Sequence, residues 1–358
     1  MTSIATPTLT LRRPDDFHVH LRDGEHMRAA LAFTARQFAR ALIMPNLKPP
    51  ATSTALALAY RDRILQALPA DAAFQPLLTL YLTNNTAPDE IVRAKASNCI
   101  VGCKLYPAGA TTHSDSGVTD IEKIYPALEA MQREGLVLQV HGEVTDTDVD
   151  VFDRETAFID QVLAPVSMRF PQLRIVFEHI TTRHAVEFVR SARQGVAATI
   201  TPQHLLHNRN AIFQGGIRPH YYCLPILKRE ADRQALLSAA TSDDARFFLG
   251  TDSAPHAKHT KENACGCAGV FSAHAALELY TEAFESVGQL SRLEAFAAER
   301  GADFYALPRN QGTIVLEKTS WTPPASYEFG DDQLVPMRAN ENIQWRLTNN
   351  KVKDRDAK

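Results

Sequence analysis

The stretch D-F-H-V-H-L-R-D-G, residues 16–24, has the pattern of a strand that ends in a loop. Because alternate side chains of a strand share a face, His18 and His20 are predicted to point the same way, with Phe17 and Val19 on the other side. Two imidazoles held on a rigid strand would form half of a metal site, and imidazole suits zinc and its neighbours. Two histidines that merely alternate at a strand edge would give the same pattern, so the motif alone leaves both interpretations open.

Composition is that of an ordinary globular protein. The 358 residues are 45% hydrophobic and 22% charged, which is enough for a large core. A net charge of -3 and a pI near 6.5 give no reason to expect nucleic acid or an anionic membrane as a partner. No apolar run is long enough to span a bilayer, and residues 1–14 lack the apolar centre of a signal peptide. With five scattered cysteines, these features predict a cytoplasmic protein with reduced thiols.

Apolar runs rich in β-branched residues alternate with amphipathic stretches along the chain. The first run ends at His18 and His20, and the others lie at 41–44, 76–82, 99–105, 136–141, 174–179, 196–201 and 246–252. The amphipathic stretches include 53–68, 121–133, 155–169 and 231–240. Repetition of strand and helix predicts parallel strands with helical crossovers, and eight such units predict a closed (β/α)8 TIM barrel of the α/β class. A doubly wound open sheet is the alternative, but no glycine-rich phosphate loop follows the first strand.

Two further regions stand apart from this repeat. Residues 105–119 follow the fourth run and are rich in Gly, Ser, Thr and Asp, which is typical of a mobile lid and equally of a plain connection. After Gly312 the chain becomes short and strand-like. We therefore expect residues 1–312 to form the barrel and residues 313–358 to form a small extension packed on it, with a polar tail at 349–358.

Ionisable side chains fall at the same place in successive units of the repeat. They are His18, His20, Lys104, His141, His179 and Asp252. Strand ends converge on one face of a barrel, where active sites lie, and polar groups there cost free energy unless they are paired or coordinated. Six such groups exceed one tetrahedral zinc site but suit two metal ions that share a bridge.

Lys104 is the unusual member of this set. An ammonium with a pKa of about 10.4 would repel both cations. If the amine were deprotonated and carboxylated by carbon dioxide, it would become a long carboxylate that could bridge two ions. A cationic Lys104 that binds an anionic substrate is the alternative, and the spacing does not decide between them.

Several motifs together resemble the dihydroorotase family of the amidohydrolase superfamily, in its stand-alone bacterial form. They are the stretch at 16–24, M-P-N-L at 44–47, G-C-K-L-Y-P at 102–107, V-H-G-E at 140–143, F-E-H-I at 177–180, G-T-D-S-A-P-H at 250–256 and C-G-C-A-G at 265–269. The resemblance covers nearly the whole chain. The His-x-His motif alone would indicate only the superfamily.

The resemblance implies two zinc ions per subunit. His18, His20 and Asp252 would bind the more buried ion, His141 and His179 the other, and a carboxylated Lys104 (N6-carboxylysine) would bridge them. The implied reaction is the reversible cyclisation of N-carbamoyl-L-aspartate to L-dihydroorotate and water, the third step of pyrimidine synthesis, with Asp252 as the catalytic proton carrier. The family also suggests a homodimer.

The implied substrate contacts come from several loops. Arg22, Asn46 and His256 would hold the substrate carboxylate, backbone groups of Leu224 and Ala268 would meet the ring amides, and Thr111 and Thr112 would reach over the ligand. A dihydropyrimidinase or hydantoinase is a rival, but its substrates lack the fixed carboxylate. A non-catalytic scaffold is another, although such chains typically lose metal ligands. Ala306 stands where relatives often have glycine, and the middle of the 105–119 loop also departs from the family pattern.

Overall fold

The computed structural model describes residues 6–69 and 72–348, so the predicted polar tail at 349–358 lies outside the described residues. A short strand, β1 (Thr8–Arg12), precedes the barrel. The eight barrel strands are β2 (Asp15–Val19), β3 (Arg40–Ile43), β4 (Gln75–Tyr81), β5 (Ile100–Leu105), β6 (Val137–Val140), β7 (Ile175–Phe177), β8 (Val196–Ile200) and β9 (Phe247–Leu249).

Strands β2 to β9 form one parallel sheet in chain order. The first and last strands meet near their carboxyl ends, where Val19, the last residue of β2, forms a parallel bridge with Ser253, which follows β9. There the Asp252 N–H donates to the His18 carbonyl at 2.9 Å, and the His20 N–H donates to the Ser253 carbonyl at 3.0 Å. The prediction of a (β/α)8 TIM barrel is confirmed.

Helices cross between the strands and cover the barrel. They are α1 (Gly24–Gln37), α2 (Thr54–Ala67), α3 (Pro88–Ala96), α4 (Tyr125–Glu134), α5 (Arg154–Phe158), α6 (Ala164–Arg169), α7 (Arg183–Ser191), α8 (Pro202–Leu206), α9 (Glu230–Ala240), α10 (Lys258–Lys261), α11 (Ala276–Glu285) and α12 (Arg300–Phe304). A π-helical turn, Ile159–Leu163, joins α5 to α6, and another, Ala295–Glu299, precedes α12. Single 3₁₀ turns lie at Ile121–Ile124, Arg209–Ile212, Pro219–Tyr221 and Leu290–Arg292. No helix within the described ranges is long and apolar enough to cross a membrane.

Side-chain alternation sorts the strands into an inner and an outer face, and shifts of register interrupt it in the β2–β3 and β4–β5 pairings. The pairing of β2 with β3 shifts register between Asp16 and Val19. Phe17 therefore packs with Phe248 and Tyr305 in the inner apolar cluster, while Val19 belongs to the large cluster between strands and helices. The expectation that Phe17 and Val19 share a face is wrong, because a local irregularity interrupts strict two-residue alternation.

The segment after Gly312 packs against the start of the chain. Strand β10 (Thr313–Glu317) pairs antiparallel with β1, and β13 (Arg346–Leu347) pairs with β10. Between them, β11 (Tyr327–Phe329) and β12 (Asp332–Leu334) form a hairpin, and the ring of Phe329 stacks on His26 of α1 with centroids 4.2 Å apart. The division of the chain near residue 312 stays a prediction.

Candidate metal centre and substrate site

The carboxyl ends of the strands and the loops after them enclose one cavity. Eleven of the thirteen predicted site residues line it: His18, His20, Arg22, Asn46, Thr111, Thr112, His141, His179, Leu224, Asp252 and Ala268. The other two lie beside it. Lys104 is fully buried on β5, and His256 contacts Arg22 at the rim.

Three of the predicted ligand atoms converge on one point. Asp252 Oδ1 lies 3.2 Å from His18 Nε2 and 3.0 Å from His20 Nε2, and the two imidazole nitrogens are 3.3 Å apart. Zinc bonds of about 2.0–2.2 Å in tetrahedral geometry place donor atoms roughly 3.3 Å from one another. The donor set therefore fits a zinc ion without rearrangement.

Neighbouring side chains hold these ligands in place. Asn46 Oδ1 lies 2.9 Å from His20 Nδ1, so that nitrogen carries the proton and Nε2 keeps its lone pair for the cavity. Asp16 accepts hydrogen bonds from the Thr251 N–H at 2.9 Å, the Thr251 hydroxyl at 2.6 Å and the His18 N–H at 3.1 Å. Asp16 thereby ties the strand of His18 to the segment that carries Asp252.

His141 and His179 form the second half of the cluster. Their ring centroids are 4.8 Å apart. His179 Nδ1 is buried without a hydrogen-bond partner among the described residues, and the contact of His141 Nε2 with Glu143 Oε2 is long, at 3.5 Å. Burial lowers the pKa of both imidazoles, so they are neutral, which is the form that binds metal. A buried imidazole nitrogen without a hydrogen-bond partner can bind a metal ion, and the ligand atoms that lie close to a ring nitrogen of His179 are those of His18 and Glu178.

Lys104 and Glu178 meet at the floor of the cluster. Both are completely buried, and Lys104 Nζ contacts Glu178 Oε2, which also lies 2.9 Å from His18 Nδ1. Burial lowers the pKa of Lys104 despite the neighbouring carboxylate. A lowered pKa favours the neutral amine, which is the form that can react with carbon dioxide.

Charge in this cluster favours a cation. Although burial lowers the pKa of His18, the carboxylates of Glu178 and Asp252 raise it to about 9. Burial raises the pKa of Asp252, but His18 and His20 outweigh burial and hold it well below the usual range. The site thus stabilises positive charge between ionised carboxylates.

Arg22 and His256 stand at the rim of the cavity. Arg22 Nε donates to the Pro255 carbonyl at 2.8 Å, and Nη2 lies 2.9 Å from His256 Nε2, which is also 3.0 Å from the Ala268 carbonyl oxygen. Burial and the Arg22 charge hold the pKa of His256 well below its usual range, so the imidazole is neutral. A guanidinium fixed in this way presents a planar donor fork that suits a carboxylate.

The loop at 105–119 lies over the cavity. Asn46 Nδ2 donates to the Thr112 carbonyl at 3.2 Å, and the Thr112 hydroxyl donates to the Ala268 carbonyl at 3.4 Å. The loop is closed in this structure, and Thr111 and Thr112 face the cavity.

The sequence prediction missed several residues that shape the site. They are Glu178 and Asp16, which contact predicted ligands, and Tyr106, which lines the cavity; the motifs that contain them predict no role for any of the three. The adjacency of Glu178 to His179 and of Asp16 to His18 was the available signal. Buried acids beside predicted ligands are typical of groups that orient them.

Comparison with known proteins agrees with this geometry. The model of the amidohydrolase family matches residues 4–318. A dihydroorotase of Delftia acidovorans is 65% identical over 343 residues, which is 96% of this chain and 99% of the relative. A crystal structure of dihydroorotase from Campylobacter jejuni superimposes with a TM-score of 0.89 at 37% identity, covering 97% of this chain and 99% of the other. Dihydroorotase from Saccharomyces cerevisiae, in complex with 5-fluoroorotic acid, gives 0.87 at 32% identity, with 97% and 99% covered.

The chain therefore belongs to the amidohydrolase family, whose members imply a metal centre that the clustered ligands here can supply. Within that family it belongs with the dihydroorotases, hydrolases that act on a cyclic amide.

Proposed function

We propose that this protein catalyses the reversible, zinc-dependent cyclisation of N-carbamoyl-L-aspartate to L-dihydroorotate and water, the third step of pyrimidine synthesis. The observation that carries the proposal is the convergence of His18, His20 and Asp252, with the Arg22–His256 pair at the rim of the same cavity. Relatives that are 60–65% identical over nearly the whole chain are dihydroorotases, which supports it further.

In this proposal His18, His20 and Asp252 would hold one zinc ion, and His141 and His179 would hold a second. Lys104, carboxylated on its neutral amine, would be a ligand shared by the two. When bound, zinc would supply Lewis acidity that polarises the reacting carbonyl and acidifies the attacking water.

Asp252 is the proposed proton carrier. In ring opening it accepts the proton of the attacking water and delivers it to the departing amide nitrogen. In ring closure the protonated carboxyl assists the loss of water. The contacts with His18 and His20 hold the pKa of Asp252 well below its usual range, so Asp252 is ionised at neutral pH.

The loops around the cavity provide the proposed substrate specificity. Arg22, Asn46 and His256 hold the carboxylate, backbone groups of Leu224 and Ala268 meet the ring amides, and Thr111 and Thr112 cover the ligand. A hydantoinase or dihydropyrimidinase has no use for the carboxylate site, so the orientation of Arg22 favours dihydroorotate over those substrates. We also propose that the protein is cytoplasmic and forms a homodimer. Sedimentation of the pure protein would test the oligomeric state.

The test is turnover of the purified protein with L-dihydroorotate, hydantoin and dihydrouracil, beside its zinc content. Dihydroorotate should be hydrolysed far faster than the other two, and prolonged chelation should abolish turnover until zinc is returned. Equal rates with all three substrates, or full activity in zinc-free protein, would overturn the proposal.

Lys104→Ala tests the bridge separately. This variant should lose zinc and activity together, because it would lack the bridging ligand. If Lys104 were a cation that binds the substrate, the variant would keep its metal centre intact. A small added carboxylic acid should partly restore both by filling the vacated bridge. Full zinc occupancy in Lys104→Ala would instead identify Lys104 as an ordinary cation.

A further inference from the structure

Lys261 lies outside the predicted site, yet it is almost completely buried, with 4% of its surface exposed. It ends the short helix α10, just after the loop of Asp252 and His256. Burial of a lysine is costly unless its charge and its three N–H donors are satisfied. The environment of its ammonium group therefore calls for an explanation.

Three backbone carbonyls surround that ammonium. Lys261 Nζ donates to the carbonyls of Tyr222 at 3.1 Å, Cys267 at 2.8 Å and Gly269 at 2.6 Å. Three donors thus meet three acceptors. Burial lowers the pKa of Lys261 to about 8, so the group is still charged at neutral pH.

These carbonyls belong to two segments that flank the cavity. Tyr222 lies two residues before Leu224, while Cys267 and Gly269 enclose Ala268, and both Leu224 and Ala268 line the cavity. The Gly269 N–H also donates to the Tyr222 carbonyl at 3.0 Å, so the segments are joined at the point where Lys261 binds them.

Space around Gly269 is tight. A Cβ atom there would approach the Ala254 carbonyl oxygen to 2.7 Å and His256 Cδ2 to 2.8 Å. The segment of Ala268 is therefore packed closely against the loop of His256. A shift of either segment would move backbone groups that face the ligand.

We propose that Lys261 is a positioning residue, whose ammonium clamps segments 222–224 and 267–269 so that the backbone groups of Leu224 and Ala268 meet the ring amides of the substrate. This inference rests on the proposed function for the identity of that substrate. It requires no contact between Lys261 and the ligand or the metal ligands.

Lys261→Met and Lys261→Gln test the clamp, with Lys258→Met on the same helix as the matched control. Loss of the three donors should raise KM for L-dihydroorotate about tenfold or more, and weaken binding of 5-fluoroorotate similarly, while kcat and zinc content change little. Lys261→Gln, which retains two N–H donors, should fall between wild type and Lys261→Met. Amide hydrogen exchange at Gly269 should accelerate in Lys261→Met and stay slow in Lys258→Met.

The readouts separate this proposal from the function on which it depends. Wild type that fails to turn over dihydroorotate would refute the function, whereas the exchange at Gly269 reports on the clamp without substrate. Unchanged KM and unchanged exchange in Lys261→Met would overturn the clamp. Parallel loss of zinc, or failure of both Lys261 variants to fold, would also overturn it, because Lys261 would then serve the metal centre or the whole fold.

Discussion

Arg22 occupies the left-handed backbone region, with φ at 66°, as do the predicted ligands His179 at 42° and Asp252 at 45°. Non-glycine residues rarely adopt such angles, and strained backbone of this kind clusters at functional sites. At all three positions the left-handed residue lies two or three residues beyond the end of a barrel strand, and its side chain lines the cavity.

Replacement of Arg22 by methionine should weaken substrate use without disturbing the metal centre. Loss of a charge-assisted contact to the substrate carboxylate should cost about 2–5 kcal/mol of binding. We expect a large rise in KM for dihydroorotate with unchanged zinc content. Arg63→Met, which removes an exposed guanidinium paired with Asp23, is the control. If the two variants had equal kinetics, the substrate carboxylate would have to bind elsewhere.

Glu178 should orient Lys104 and His18. A carboxylated lysine keeps one N–H on Nζ, and the Glu178 oxygen that contacts Nζ is placed to accept it. Glu178→Ala should lower zinc affinity by roughly 10- to 100-fold, as is usual when a group that orients a metal ligand is lost.

Zinc titration against a chelator would measure this effect. Glu278→Ala is the control for the loss of any buried carboxylate. Glu278 is also fully buried, and it accepts a hydrogen bond from the Leu347 N–H. Zinc affinity that falls equally in both variants would assign Glu178 a role in stability only.

At the scale of elements, the loop at 105–119 joins the strand of Lys104 to the roof of the cavity. Its inner hydrogen bonds form a compact turn, in which the Ser114 hydroxyl donates to the Thr111 carbonyl at 2.6 Å and accepts from the Thr111 N–H at 2.9 Å. Its contacts with the rest of the barrel include hydrogen bonds of Thr112 with Asn46 and Ala268, of His113 with Asn46 and Tyr81, and of Thr119 with Asn84. The loop can therefore open as a unit, which product release would require.

Thr111→Ala combined with Thr112→Ala should lower kcat/KM for dihydroorotate by roughly 5- to 150-fold, since each hydroxyl contact is worth about 0.5–1.5 kcal/mol. Zinc content and circular dichroism should match wild type. Thr119→Ala, which breaks an exposed hydrogen bond to Asn84 at the base of the loop, is the matched control. Wild-type efficiency in the double variant would show that the loop is only a connection.

At the scale of the whole molecule, buried neutral histidines make the fold sensitive to acid. Burial lowers the pKa of His204 to about 4 and that of His274 to about 3. His204 Nδ1 lies 2.7 Å from the Thr201 hydroxyl and Nε2 lies 3.0 Å from the Pro225 carbonyl, contacts that suit a neutral ring. In the unfolded chain these histidines take up protons near pH 6.5, which the folded state does not.

Stability should therefore fall as pH drops from about 6.5 to 4, because the unfolded state binds more protons throughout that window. For His204 the loss approaches about 3 kcal/mol once pH reaches its folded pKa. His204→Gln should flatten the pH dependence of Tm relative to wild type, while His184→Gln, at an exposed histidine, should not. Both variants keep the predicted metal ligands, so the contribution of those ligands to the pH dependence of Tm cancels when the two variants are compared. Parallel curves for all three proteins would contradict the prediction.

The positions of the candidate ligands could be predicted from the sequence because the barrel repeats. Each of His18, His141, His179 and Asp252 lies at or just beyond a strand end, and closure of the sheet brings all such ends to one face. Periodicity therefore determined the fold class and, with residue type, the candidate metal cluster. Ala306, where the family resemblance leads us to expect glycine, adopts a left-handed φ of 56°.

Contacts between distant segments were decided only by the tertiary structure. Strand β1 pairs with β10, which lies about three hundred residues later in the chain, and no local pattern in residues 8–12 predicts that pairing. The three carbonyls around Lys261 and the contact of Glu178 with Lys104 likewise depend on how loops from different strands meet. Local sequence encodes which face a side chain takes in a regular element. It does not encode which distant backbone group that side chain contacts, because packing of the whole chain decides which segments come together.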